Sequence, residues 1–365
     1  MVPDWLAPNP RADRKRLYDI AQRAVIDPAN LPDIGGLGVP DKGPTPLLAL
    51  PSLAKRLGLG EVRVKDESRR FGFGAFKALG GVFAVHQFMA RHKELEPSGI
   101  VFTTASSGNH GRSVAMGAQL VGARCVIFLP RFTSAEKEQA IRARGAEVIR
   151  VDGDYDSAVA ECRRQAEQKG WTIVSDTSWP GYETVPRDVM RGYTILADEI
   201  AQQWPQAPTH VLVQAGVGGL AAALIGYLWA KLPQRPLFAV VEPRSADCWF
   251  QSNLAGKPAL ASGNADTAMG GLACREISPI TWPVIGFGAD WFMTIEEEEV
   301  MPARRLFAHP LGDDPALASG PSGCAGLAGL VRLCGDPDAK RALGLDRDAR
   351  VLLINSEGDL GEGSA

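Results

Sequence analysis

Lys77 sits alone in an otherwise uncharged run from Phe71 to His86. Phe71, Phe73 and Phe76 surround it in sequence, with Gly72, Gly74, Gly80 and Gly81 close by. An amine in apolar company gives up its proton more readily, because burial disfavours the charged form. A neutral amine attacks carbonyls and forms Schiff bases, which is the chemistry of a lysine that anchors pyridoxal phosphate (PLP). The same stretch also fits a snorkelling lysine at a helix start, stem buried and head wet.

Four further constellations carry chemistry. TASSGNHG (104–111) puts small residues and an amide, Asn109, between a strand and a helix. Free N–H groups there would seat a carboxylate or a phosphate. QAGVGGL (214–220) follows the apolar strand HVLVQ and opens a helix, the setting of a phosphate cradle. It is G-x-G-G rather than G-x-G-x-x-G, and the first acid downstream, Glu242, lies beyond the usual interval of about 20 residues, so a dinucleotide is disfavoured. NSEGD (355–359) ends the last apolar strand, where Ser356 could bond a ring nitrogen. In SDTSWPGYE (175–183), Asp176 could read a substrate amino or hydroxyl group. Each also reads as an ordinary turn or cap when taken alone. His110 fits either acid–base work or orientation of its loop.

These pieces need rigid elements to position them. Short apolar strands are predicted at 61–65, 100–104, 124–129, 147–151, 171–174, 210–214, 236–241 and 351–355. Helices are predicted at 75–90, 111–121, 134–144, 156–169, 186–203, 220–232, 296–308 and 322–334, with one more near 14–25. Strands of four to six residues alternating with longer helices predict parallel βαβ units, hence an α/β fold. Residues 291–294 read as an edge strand and 255–290 as irregular. The acidic run 296–299 reads as a solvated helix start rather than a metal site.

The totals restrict the function classes. A chain of 365 residues predicts about two domains, here both α/β, with the site between them. A net charge of −3 offers no electrostatic case for nucleic acid or an anionic membrane. The six cysteines form no C-x-x-C pair and no zinc spacing, which predicts a reducing compartment and no metal. No apolar stretch spans a bilayer and the N-terminus has no secretory h-region, so a cytoplasmic location is expected.

In this order, KDESRRFGFGAFKALGG, SSGNHGRSVA, SDTSWPGYETVP with MRGYTILADE, QAGVGGLAAA and INSEGD resemble the fold-type II PLP enzymes. That superfamily includes tryptophan synthase β, threonine dehydratase and cysteine synthase; within it the pattern looks most like the diaminopropionate ammonia-lyases. The resemblance implies two open, twisted, mostly parallel sheets with helices on both faces. It implies a large phosphate-binding domain (1–80 and 187–365), a small domain with the carboxylate loop (81–186), and a homodimer.

By the same resemblance, Lys77 would hold PLP and abstract the substrate Cα proton, with Phe76 beside the ring. Ser106, Ser107, Gly108, Asn109 and His110 would bind the substrate carboxylate, Asn109 also reaching the cofactor 3-hydroxyl. Gly216, Val217, Gly218, Gly219 and Leu220 would cradle the phosphate, Ser356 would face the pyridine nitrogen, and Asp176 would contact the substrate amino group. The implied activity is α,β-elimination of a β-substituted amino acid, such as L-2,3-diaminopropionate, to a 2-oxo acid and ammonia. The alternatives are a 3-hydroxy amino acid dehydratase or a β-replacement synthase. One departure stands out: the ammonia-lyases usually carry aspartate, as T-D-G-N-H-G, where this chain has Ser107. That aspartate would serve the D-isomer, so an L-specific enzyme is expected.

Overall fold

The computed structural model describes residues 2–359 apart from 16, 17, 20, 21, 24 and 25. Half of the helix expected near 14–25 therefore lies outside the described residues. Two compact units emerge. The first comprises Met1–Leu31, Gly43–Phe76 and Thr194–Ala365, and the second Pro32–Lys42 and Lys77–Tyr193. Lys77 thus falls in the second unit, whereas the sequence-based division at 80/81 places it in the first.

Among the described residues the strands, in chain order, are β1 (Leu6–Pro8), β2 (Leu47–Ala49), β3 (Glu61–Asp66), β4 (Val101–Ala105), β5 (Arg124–Pro130) and β6 (Glu147–Val151), then β7 (Thr172–Ile173), β8 (His210–Gln214), β9 (Leu237–Pro243), β10 (Trp291–Ile295) and β11 (Arg350–Asn355). The helices used below are α1 (Lys77–Arg91), α2 (Asn109–Val121), α3 (Tyr155–Lys169), α4 (Thr184–Gln203), α5 (Gly219–Lys231) and α6 (Ala325–Gly335).

The first unit holds an open seven-stranded sheet in the order β1-β10-β9-β8-β11-β3-β2. Its interior pairs are parallel, and the three-residue strands β1 and β2 close the two edges antiparallel. The strand over 291–295 is therefore interior, contrary to its reading as an edge, because Leu6–Pro8 pairs along its outer side. Val62, Val64, Leu212, Val241, Val351 and Leu353 share one core with Leu327, Leu330 and Leu333 of α6. Alternate side chains of a strand face opposite ways. The intervening Val211, Val213, Val240, Leu352 and Ile354 are also fully buried, so both faces are covered. Each such side chain contributes roughly 1.5–3 kcal/mol.

The second unit holds an all-parallel four-stranded sheet, β6-β5-β4-β7. Val101, Ala105, Val126 and Phe128 pack against Ala158 and Cys162 of α3. Phe102, facing the other way, meets Phe88 of α1 edge-on, with ring centroids 5.4 Å apart. Helices again cover both faces, which is what continuous apolar strands demand.

Short helices absent from the sequence reading appear at Pro51–Leu57, Cys248–Ala255, Trp282–Gly288 and Pro337–Leu343. The acidic run behaves as expected. Glu296 caps Glu297–Ala308, and the Glu299 carboxylate accepts from the Glu296 N–H at 2.7 Å, completing a capping box.

Candidate active site

The approach to Lys77 is built in the first unit. Beyond β3 the backbone turns through left-handed conformations at Phe71 (φ +53°), Gly72 (φ +63°) and Gly74 (φ +101°). A buried phenylalanine in that region is strained. A buried ionic cluster holds the turn. Arg70 donates Nε and Nη2 to the Glu67 carboxylate at 2.8 and 2.7 Å, and both Nη groups to Glu199 at 2.7 Å. Lys65 Nζ lies 2.6 Å from the same Glu199. Every charge here has a partner, as burial requires. The segment after β11 then pairs with the chain just before the lysine. Ala75 bridges Glu357, the Phe76 N–H donates to Ser356 O at 3.0 Å, and the Gly358 N–H donates to Gly74 O. Phe76 and Ser356, far apart in sequence, are therefore neighbours.

In the second unit Lys77 opens α1, and its Nζ lies 2.5 Å from Asp176 Oδ2. The sequence reading placed this amine in apolar surroundings; the structure places a carboxylate beside it. Burial pushes the Asp176 carboxyl up. The Lys77 ammonium, the His110 ring and the hydrogen bond from Lys77 outweigh it, holding the group well below the usual carboxylate range. His110 Nε2 is 2.9 Å from Val174 O. A carbonyl only accepts, so Nε2 carries the proton and Nδ1 is the ring's open nitrogen. Nδ1 lies 3.9 Å from Asp176 Oδ2. Burial lowers the His110 pKa against the opposing pull of Asp176. Lys77, Asp176 and His110 thus lie together, with Nζ hydrogen-bonded to Asp176 and the His110 ring 3.9 Å from the same carboxylate oxygen.

The carboxylate loop leads from β4 into α2. Ser106 Oγ accepts from the Gly108 N–H at 3.3 Å, and Arg112 Nη1 donates to Asn109 Oδ1 at 2.9 Å. Arginine has no acceptor, so the Asn109 amide is oriented with its oxygen on Arg112. Ser107 is half-buried in the same loop. The segment holding Asp176 is tied at its far side by Tyr182, whose hydroxyl donates to Ile173 O and accepts from the Ser175 N–H. The Tyr182 ring stacks on Trp179 at 3.9 Å.

Sequence reasoning missed Tyr193. Its buried ring occupies the space over Gly80, where a Cβ would sit 2.5 Å from the ring. Burial raises its phenol pKa against the pull of Lys77, which lies beside the hydroxyl. Gly80, one turn after the lysine, is a sequence trace of this ring, while its neighbour Gly81 makes room for Ser113 instead.

The glycine loop lies in the first unit, between β8 and α5. Trp249 Nε1 donates to Gly216 O at 2.9 Å, and Val217 O accepts from the Ser278 N–H and the Thr281 hydroxyl. In a trans peptide the N–H points opposite the C=O. Tying back these two carbonyls therefore turns the N–H groups of Val217 and Gly218 the other way. The first-turn N–H groups of α5 add to them, since they have no helical acceptor. Gly218 is left-handed (φ +104°), and a Cβ there would meet the Trp249 ring at 2.4 Å. Gly218→Ala is expected to cost about 2 kcal/mol or more in stability and to weaken anion binding, read by thermal denaturation and phosphate titration.

A family model described as "Pyridoxal-phosphate dependent enzyme" matches residues 39–357. The chain belongs to the pyridoxal-phosphate-dependent enzyme family. It is 39% identical over 336 residues to the diaminopropionate ammonia-lyase of Escherichia coli (strain K12), covering 87% of this chain and 84% of the relative. A biosynthetic L-threonine dehydratase of Pasteurella multocida is 29% identical over 288 residues, covering 79% of this chain and 52% of that one. Two crystal structures of the Escherichia coli ammonia-lyase, one with an aminoacrylate-PLP azomethine reaction intermediate and one with D-serine, superpose with a TM-score of 0.86. Each has 35% identity and covers 97% of this chain and 94% of its own.

The cofactor of this family member is pyridoxal phosphate, and the side chains fit it. The glycine loop offers N–H groups to a phosphate, and Lys77 offers an amine with a carboxylate partner. Ser356, 3% exposed, offers a hydroxyl. Among the described residues no group of three His, Cys, Asp or Glu side chains is placed to hold a metal ion. No described helix is long and apolar enough to cross a membrane.

Proposed function

We propose that this chain is a PLP-dependent carbon–nitrogen lyase. It takes L-2,3-diaminopropionate and one water to pyruvate and two ammonia. The observation that carries the reading is the 2.5 Å contact between Lys77 Nζ and Asp176 Oδ2, beside a loop of small residues suited to a carboxylate. When bound, PLP supplies the electron sink that lets a proton leave the substrate Cα. Lys77 Nζ bears the cofactor and takes that proton. Asp176 holds positive charge at Nζ and contacts the substrate amino group. Ser106, Ser107, Gly108, Asn109 and His110 grip the substrate carboxylate. Gly216, Val217, Gly218, Gly219 and Leu220 hold the cofactor phosphate, Phe76 lies beside its ring and Ser356 meets its pyridine nitrogen. The large domain carries the phosphate loop and the small one the carboxylate loop.

Ser107 favours a second reading. SSGNH is also the form found in threonine and serine dehydratases, in which water leaves in place of ammonia. A panel of L- and D-β-substituted amino acids, assayed for 2-oxo acid and ammonia without added nucleophile, separates them. Fastest release from L-2,3-diaminopropionate supports the lyase; fastest release from L-serine or L-threonine supports the dehydratase. Turnover only with an added thiol would indicate β-replacement. The L-isomer is expected to be strongly preferred, and Ser107→Asp to raise D-isomer turnover. Equal rates on both enantiomers in the unaltered enzyme would sink the assignment of Ser107. The six unbridged cysteines support a reducing, cytoplasmic setting, and the family resemblance supports a homodimer.

A further inference from the structure

The last residue of β8, Gln214, is 2% exposed and lies against Ser356. Its Nε2 faces four acceptors: Ser322 O at 3.0 Å, Ile354 O at 3.0 Å, Gly323 O at 3.4 Å and Ser356 Oγ at 3.1 Å. Three of these are backbone carbonyls, which cannot donate. They settle the orientation of the amide, because turning it over would set its oxygen against three others. Its Oε1 is buried and accepts no hydrogen bond among the described residues. The side chain therefore acts through its donor end.

An amide nitrogen donates and does not accept. The amide has two protons for these four acceptors, and Ser356 Oγ, 3.1 Å from Gln214 Nε2, faces a nitrogen that cannot take its proton, so that single proton is left to donate elsewhere. From this we infer that Gln214 is a positioning residue for the cofactor: it sets the polarity of Ser356, so that the serine donates to the pyridine nitrogen and keeps that nitrogen unprotonated. The inference rests on the reading that Ser356 meets the pyridine nitrogen. A hydroxyl that gives its proton to the ring needs the lone pair on the nitrogen, so a pyridinium has no acceptor to offer it. An unprotonated ring is the weaker electron sink. Gln214 thereby steers the enzyme towards rapid loss of a β-substituent and away from the longer-lived carbanion that transamination needs. Without the amide, the vacated Ser322 and Ile354 carbonyls compete for the serine proton.

The test is the ¹⁵N chemical shift of the pyridine nitrogen in holoenzyme reconstituted with ¹⁵N-labelled PLP. The unaltered enzyme is expected to give the signal of an unprotonated, hydrogen-bonded pyridine, constant between about pH 6 and 9. A pyridinium signal would overturn the inference without any variant. Ser356→Ala is expected to move the signal downfield, to that of a pyridine lacking a donor. Gln214→Met is expected to move it the same way. Gln214→Asn, which keeps the amide but is one methylene short, is expected to do likewise should the first variant fold poorly. If Ser356→Ala leaves the signal in place, the reading of Ser356 fails, and the inference with it. If Ser356→Ala moves the signal while folded Gln214 variants do not, the inference alone fails.

Discussion

Lys77→Ala is expected to abolish the yellow absorbance of the purified protein and to lower 2-oxo acid release by about 10³–10⁴-fold. The lysine would lose two roles at once, carrying the cofactor and taking the Cα proton. The fold should survive, because Lys77 is the first residue of α1 and the core of the second unit lies elsewhere. Near-wild-type thermal stability with the colour gone would separate lost chemistry from lost structure. Yellow colour retained in the variant would refute the assignment of Lys77.

Asp176→Asn is expected to be nearly as damaging, lowering kcat/KM by about 10²–10³-fold. An amide keeps the shape but cannot balance a positive charge on Lys77 Nζ, 2.5 Å away, or face the His110 ring as an anion. The variant has a second signature in pH. The Asp176 carboxyl is held below its ordinary value once the cationic neighbours have overcome burial. A depressed carboxylate contributes stability that is fully present above the unfolded value of about 3.9 and is lost as the pH falls through the lower, folded value. The unaltered protein should therefore lose Tm more steeply below about pH 4 than Asp176→Asn does. Parallel curves would mean that the pair contributes nothing to folding.

Much of the fold was legible because of how parallel sheets are buried. HVLVQ, RCVIFL and VLLIN are covered on both faces, so their sequences read as unbroken apolar runs, and the structure places β8, β5 and β11 there. The edges were not legible. Leu6–Pro8 and Leu47–Ala49 are three residues each, too short to show a period, and exist as strands only through their partners. That is also why 291–295 looked like an edge: the strand that covers it begins near the other end of the chain. Three of the short helices missed, Pro51–Leu57, Trp282–Gly288 and Pro337–Leu343, each carry a proline in their first turn, a signal hidden among the chain's 26 prolines. In KDESRR nothing marks Lys65, Glu67 and Arg70 as buried. Charged residues are buried only when paired, and Glu199 comes from a distant segment.

The candidate site divides in the same way. Composition and order alone determined that an amine with apolar sequence neighbours, a small-residue loop and a glycine cradle each sit at the junction of one element with the next. Those features depend on bonds between near neighbours. Only the tertiary structure decided what each group faces. Asp176, 99 residues from Lys77, supplies a carboxylate where the sequence suggested apolar walls. Gln214, 142 residues from Ser356, supplies the donor that sets the serine's polarity. The physical reason is register. β8 runs parallel to β11 with His210 opposite Val351, which brings their carboxyl ends level, and no local pattern records which strand will lie alongside which.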